Sequence, residues 1–169
     1  IHSKDGNDEL YGDEGNDQLF GEAGNDLIYG GEGDDQLFGD TGDDIVYGGE
    51  GNDHLSGGTG NDQLYGNNGN DIIYGGIGQD ILFGESGNDQ LFGDDGNDQI
   101  FGGQGNDILY GGEGADIING GEGDNILIGG KGIDEYVFDA LDGNNQINDT
   151  DETILRFNNI DSKSVRLEV

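Results

Sequence analysis

Aspartate recurs along this chain at nine-residue steps: Asp8, Asp17, Asp26, Asp35, Asp44, Asp53, Asp62, Asp71, Asp80, Asp89, Asp98, Asp107, Asp116 and, after Asn125 breaks the series, Asp134. The chain has no Cys and two His, so thiolate zinc and iron–sulfur sites are excluded. Oxygen donors are what it offers, and those suit hard cations such as calcium. Acidic pairs such as Asp43–Asp44 are also what paired-carboxylate catalysis would need. Their repetition every nine residues argues for metal instead.

The elements that must position these carboxylates follow from the same period. The sequence from Ser3 to Val137 holds fifteen consecutive copies of G-(G/x)-x-G-x-D-x-U-x, U being a large aliphatic residue, without insertion or deletion. Position 4 is always Gly, position 1 is Gly except at Ser3, and position 8 is Leu, Ile or Val except at Tyr136. Positions 1–6 are rich in Gly and Asn and predict a turn needing permissive backbone angles. Positions 7–9 predict a strand of only three residues, about 10 Å long. Alternation points position 8 to one side and positions 7 and 9 to the other. So short a strand buries nothing alone, so two copies must fold back to back as an 18-residue coil, and stacked coils give two parallel sheets.

That spacing sorts the aspartates into two edges. Asp8, Asp26, Asp44, Asp62, Asp80, Asp98, Asp116 and Asp134 share one edge; Asp17, Asp35, Asp53, Asp71, Asp89, Asp107 and then Asn125 share the other. Successive carboxylates on an edge stand about 5 Å apart, which is strongly repulsive unless a cation lies between them.

Composition asks for the same cation. The chain has 169 residues, 38 Gly, no Pro, Met or Trp, and a formal charge of −33. One file of aliphatic side chains has to offset the ordering of a glycine-rich backbone and the repulsion among packed carboxylates. Such a chain is not expected to fold unaided. With five basic residues it is not expected to contact nucleic acid or insert into a membrane. No transmembrane run or signal peptide is visible, and the opening at Ile1, mid-repeat and without Met, is expected of a piece of a longer protein.

At the residues just quoted the chain resembles the RTX, or haemolysin-type, calcium-binding repeat regions, over about four fifths of its length. The resemblance implies an all-β fold, a right-handed parallel β-roll. It implies calcium between consecutive loops of an edge, held by the position-6 carboxylates and by backbone carbonyls of the turns. Seven gaps on one edge and six on the other then set a ceiling of thirteen ions. Asn125 makes the gap after Asp107 the weakest, because an amide lacks the anionic charge. The resemblance further implies an extracellular, secreted module of a larger bacterial protein, toxin-like or adhesin-like. Such a module is disordered at low calcium, folds outside the cell and serves type I secretion. Its partners would be calcium, the rest of the parent polypeptide and the secretion apparatus, and it is expected to be monomeric.

Other features are placed around this frame. Position 9 is Tyr or Phe in eleven copies, giving outward ladders such as Tyr11, Tyr29, Tyr47, Tyr65, Phe83 and Phe101. Neighbour-to-neighbour stacking is the favoured role of these rings, ahead of an aromatic surface for sugar or protein. His2 and His54 have no second His at ligand spacing and are read as incidental. After Val137 the phase breaks, and Gly143–Ile147 resembles one degenerate copy, two residues late, with Asn145 in the place of Asp. Thr153–Phe157 and Val165–Val169 alternate as strands around a turn at Asn158–Ser164, so residues 138–169 are expected to cap a roll of residues 3–137. No nucleophile elbow, zinc-protease motif or phosphate loop occurs, and the chain is not expected to be an enzyme. The alternatives are an accessory module of an extracellular protease, lipase or alginate epimerase, whose catalytic domain would lie elsewhere, and an adhesive or sugar-contacting roll.

Overall fold

The computed structural model describes residues 1–139, 142–149 and 151–158. The strand expected at Val165–Val169, and most of the turn before it, lie outside the described residues. All regular structure among those described is β, in seventeen strands. In chain order these are β1 (Glu9–Glu14), β2 (Gln18–Phe20), β3 (Leu27–Glu32), β4 (Gln36–Thr41), β5 (Ile45–Glu50), β6 (His54–Thr59), β7 (Gln63–Asn68), β8 (Ile72–Ile77), β9 (Ile81–Ser86), β10 (Gln90–Asp95), β11 (Gln99–Gln104), β12 (Ile108–Glu113), β13 (Ile117–Glu122), β14 (Ile126–Lys131), β15 (Ile133–Phe138), β16 (Gln146–Ile147) and β17 (Glu152–Phe157). Odd strands form a nine-stranded sheet in sequence order and even strands an eight-stranded one. Every pairing is parallel, and from β1 to β15 the register is 18 residues, as at Leu10↔Ile28 and Leu37↔Leu55. The chain is a β-solenoid of stacked two-strand coils, as the period predicts.

Position 8 supplies the whole interior. From Leu19 to Tyr136 each of these side chains is 0% exposed, and they meet in a single layer between the sheets.

The strands are longer than the three residues expected. From β3 to β14 each runs six, through positions 7–9 and on through positions 1–3 of the next copy. Gly31, at position 2, bends the chain with φ 116°, but Gly49 one coil on bends by the same angle. Because stacked residues turn together, the ladder continues as Gly31↔Gly49 and Glu32↔Glu50. Only positions 4–6 remain as turn, and these too bond from coil to coil, Gly33 N–H to the Glu50 carbonyl at 2.8 Å and Gln36 N–H to that of Asp17 at 2.9 Å. Little backbone is left without a partner, which is how a chain with so thin a core keeps its shape.

At the C-terminal end the coils continue with a slipped register. β16 pairs with β14 at a 20-residue offset, Leu127↔Ile147, and β17 with β15 at 19, Tyr136↔Leu155. Ile147, Leu155 and Phe138 pack against the interior.

Candidate metal centre

Each position-6 aspartate ends a turn just before its strand enters the sheet, so its carboxylate is carried to the edge of the slab. From Asp26 to Asp134 these side chains are at most 2% exposed. The two edges expected from 18-residue spacing are present. Along both, the backbone N–H of one aspartate donates to Oδ1 of the aspartate one coil on, Asp26 to Asp44 at 2.7 Å and Asp35 to Asp53 at 2.8 Å. On the outer rim, position 5 bonds in the opposite direction: Asn70 N–H donates to Asn52 Oδ1 of the coil before, at 3.0 Å. From Asp26 and Asp35 onward Oδ1 of the aspartate is thus engaged by the backbone of the coil before it.

Oδ2 is not used. In Asp8, Asp26, Asp35, Asp44, Asp53, Asp62, Asp71, Asp80, Asp89, Asp98, Asp107, Asp116 and Asp134 this oxygen is buried and has no hydrogen-bond partner. Asp17 is more open. Burial, reinforced by neighbouring aspartates, raises the carboxyl pKa against the pull of the backbone hydrogen bond, to about 6 at Asp44 and Asp53 and about 7 at Asp62, Asp71 and Asp98. A row of buried carboxylate oxygens facing no positive charge is costly, of order 1–3 kcal/mol for each orphaned group and more when ionised.

The second donor at each gap comes from position 1. A Cβ built on Gly75 would lie 2.6 Å from Asp80 Oδ2 and 2.8 Å from the Gly93 carbonyl oxygen. The same two oxygens, its own copy's carboxylate and the next coil's position-1 carbonyl, flank every position-1 glycine from Gly12 to Gly111. Position-1 glycines have no positive φ, unlike those at position 4. Their missing side chain is therefore a matter of space, keeping open a cradle of two oxygens. Among the described residues no three Asp, Glu or His side chains gather at one point. A cation here needs backbone carbonyls beside carboxylates, and all-oxygen donors of this kind fit calcium.

Three positions depart from the pattern. Asn125 turns Nδ2 where other copies have Oδ2, and donates it to the Gly121 carbonyl at 3.3 Å. At Gly129 the next-coil carbonyl is replaced by Tyr136 Oη, whose hydroxyl donates to Asp149 Oδ2 at 3.0 Å. Burial, and then that hydrogen bond, raise the Tyr136 pKa far above its usual value. In the first copy the Ser3 hydroxyl donates to the Gly21 carbonyl. The degenerate copy keeps the stack without acid, Asn125 N–H donating to Asn145 Oδ1 at 3.1 Å.

The outward aromatics stack upon one another. On the odd sheet Tyr11, Tyr29, Tyr47, Tyr65, Phe83 and Phe101 follow at centroid distances of 4.8–5.1 Å, nearly parallel. On the even sheet the ladder lacks a ring at Ser56, and His54 fills the gap, 5.9 Å from Phe38 and 5.5 Å from Tyr74. His54 is thus a rung of the ladder and not incidental; His2 likewise stacks on Phe20 at 4.4 Å.

A comparison with curated proteins gives no match. Comparison with protein families matches the RTX calcium-binding nonapeptide repeat (4 copies) at residues 2–37, 22–55, 29–64, 47–82, 65–100, 74–109 and 101–136. That family is a structural, calcium-binding repeat and not a catalytic one. Its repeat and the coils described above coincide over residues 2–136, most of the chain, and this chain belongs to the RTX calcium-binding nonapeptide-repeat family.

Proposed function

We propose that this chain is a calcium-triggered folding module of a larger secreted protein, with the position-6 aspartates as its ligands. The observation that carries the reading is the row of buried Oδ2 atoms without partners. At about 1–3 kcal/mol per orphaned oxygen, repeated along both edges, the cost matches or exceeds the roughly 5–15 kcal/mol of net stability that a folded domain possesses. Ion-free, the roll at neutral pH therefore gives way to an expanded chain spread by its own charge. Bound calcium supplies the positive charge that each gap lacks. The aspartates orient Oδ2 into the gap by anchoring Oδ1, and the position-1 carbonyls complete the donor set. Sites of extracellular modules have dissociation constants of about 10⁻⁴–10⁻³ M, so folding follows millimolar calcium outside a cell. That suits passage through a narrow type I secretion channel as an unfolded, monomeric chain. Residues 138–169 serve as the C-terminal cap of the roll formed by residues 3–137, and any toxin, adhesin or hydrolase activity belongs to the parent protein.

The sugar-contacting alternative is disfavoured by the ladders, since the ring faces that would stack on a sugar are already stacked on each other. Far-UV circular dichroism in chelator, followed by titration with calcium and separately with magnesium, tests the main reading. A disordered spectrum should turn cooperatively to β with calcium alone. A chelated chain already rich in β structure would mean a permanent scaffold.

A further inference from the structure

Ser3 is the one position-1 residue among the fifteen copies that carries a side chain. Its aspartate, Asp8, is in place, and Asp8 Oδ2 is buried without a partner as in the interior copies. What differs is the cradle. The Ser3 Cβ stands in the space that glycine leaves open elsewhere, and its hydroxyl binds the Gly21 carbonyl, the oxygen that would be the second donor of that gap.

We propose that the position-1 residue, and not the aspartate alone, decides whether a gap takes a cation, so that position 1 is a specificity-determining position of the repeat. This rests on the calcium reading above. Counting aspartate pairs sets a ceiling of thirteen ions. Counting cradles in which glycine faces both a carboxylate and a carbonyl oxygen, from Gly12 to Gly111, leaves six on each edge. The Ser3 gap is closed by a hydrogen bond. At the other end of the same edge the Gly129 cradle lies beyond the last aspartate pair, so it is not one of the thirteen, and there Asp134 has the Tyr136 hydroxyl beside it in place of a carbonyl. A serine at position 1 joins two coils by donating to the carbonyl, whereas a glycine leaves that carbonyl for a cation, and both outcomes leave the coil stacked.

Substitution at Ser3 tests this without crowding, since Ser3→Gly only removes atoms. Native mass spectrometry of the full chain at saturating calcium reads ions per molecule for wild type, S3G and S3A. Wild type should hold at most twelve, S3G one more than wild type, and S3A, which keeps the Cβ, the same as wild type. An S3G count equal to wild type, a gain in S3A, or thirteen ions on wild type would overturn the proposal while leaving the calcium reading standing. A wild type that takes up no calcium would overturn the calcium reading itself and the proposal with it.

Discussion

The interior coils and the last coil share one backbone path and one core layer but are held at their edges in different ways. Between Asp35 and Asp116 each turn leaves a buried carboxylate oxygen facing a carbonyl, two acceptors with no donor between them. Beyond Asn119 most of the edge contacts bring their own donors, although Asp134 Oδ2 is still buried without one. Asn125 provides its own N–H, Tyr136 donates to Asp149, Thr153 donates to the same carboxylate at 3.1 Å, Phe138 stacks on Phe157, and Arg156 pairs with Glu135. Acceptor facing acceptor makes a coil conditional on an added cation, while donor facing acceptor makes it self-sufficient. The same fold can thus carry a switch along its length and a fixed end.

The largest expected effect comes from removing calcium. Hydrogen exchange in chelator should show amides of β5–β12 losing protection, while those of β15 that face β17 keep more of theirs; uniform loss along the chain would erase the distinction between the two regions.

Acid should partly replace calcium. An unfolded aspartate titrates near 3.9, and the interior aspartates of the ion-free roll near 6 to 7. Their folded values are raised, so the stabilisation is fully present below about pH 4 and is lost as pH rises through 6 to 7. In chelator, lowering the pH from 8 to 5 should therefore restore β structure by circular dichroism. A further loss of structure on acidification would contradict the burial of these carboxylates.

Tyr136→Phe should destabilise the last coil by about 1–3 kcal/mol, because the half-buried Asp149 carboxylate loses one of its donors. Since no interior gap is altered, the calcium midpoint of the interior should move little, and a large shift would show that the end and the interior are one cooperative unit. The smallest effect is that of His54→Ala, which opens the even-sheet ladder at the cost of one tilted ring contact on each side, about 1 kcal/mol. Thermal melts in saturating calcium would register it, and an unchanged melting temperature would demote His54 to filler.

Much of this was legible from periodicity. An unbroken period of nine with one aliphatic position and one aspartate position dictates stacked coils, because no other arrangement buries position 8 and keeps the fifteen copies equivalent. The aromatic ladders follow from the same spacing, while the degenerate copy at Asn145 is legible from its residues although it arrives two residues late. Six-residue strands were not legible, because glycine-rich segments look like turns until the identical neighbour one coil away makes their bent backbone pair.

By itself, then, the sequence determined the period, the file of core residues from Leu10 to Tyr136 and the two rows of carboxylates, all properties of residues compared with their own copies. Only the tertiary structure decided which oxygen of each aspartate is spent on backbone and which is left over, and that position-1 glycines guard a space and not a dihedral angle. It alone placed His54 in the gap at Ser56 and Tyr136 against Asp149. Those outcomes depend on directions of side chains between residues 13 to 20 positions apart, brought within 6 Å by stacking, and the register slip after Val137 removes even the period as a guide to the last of them.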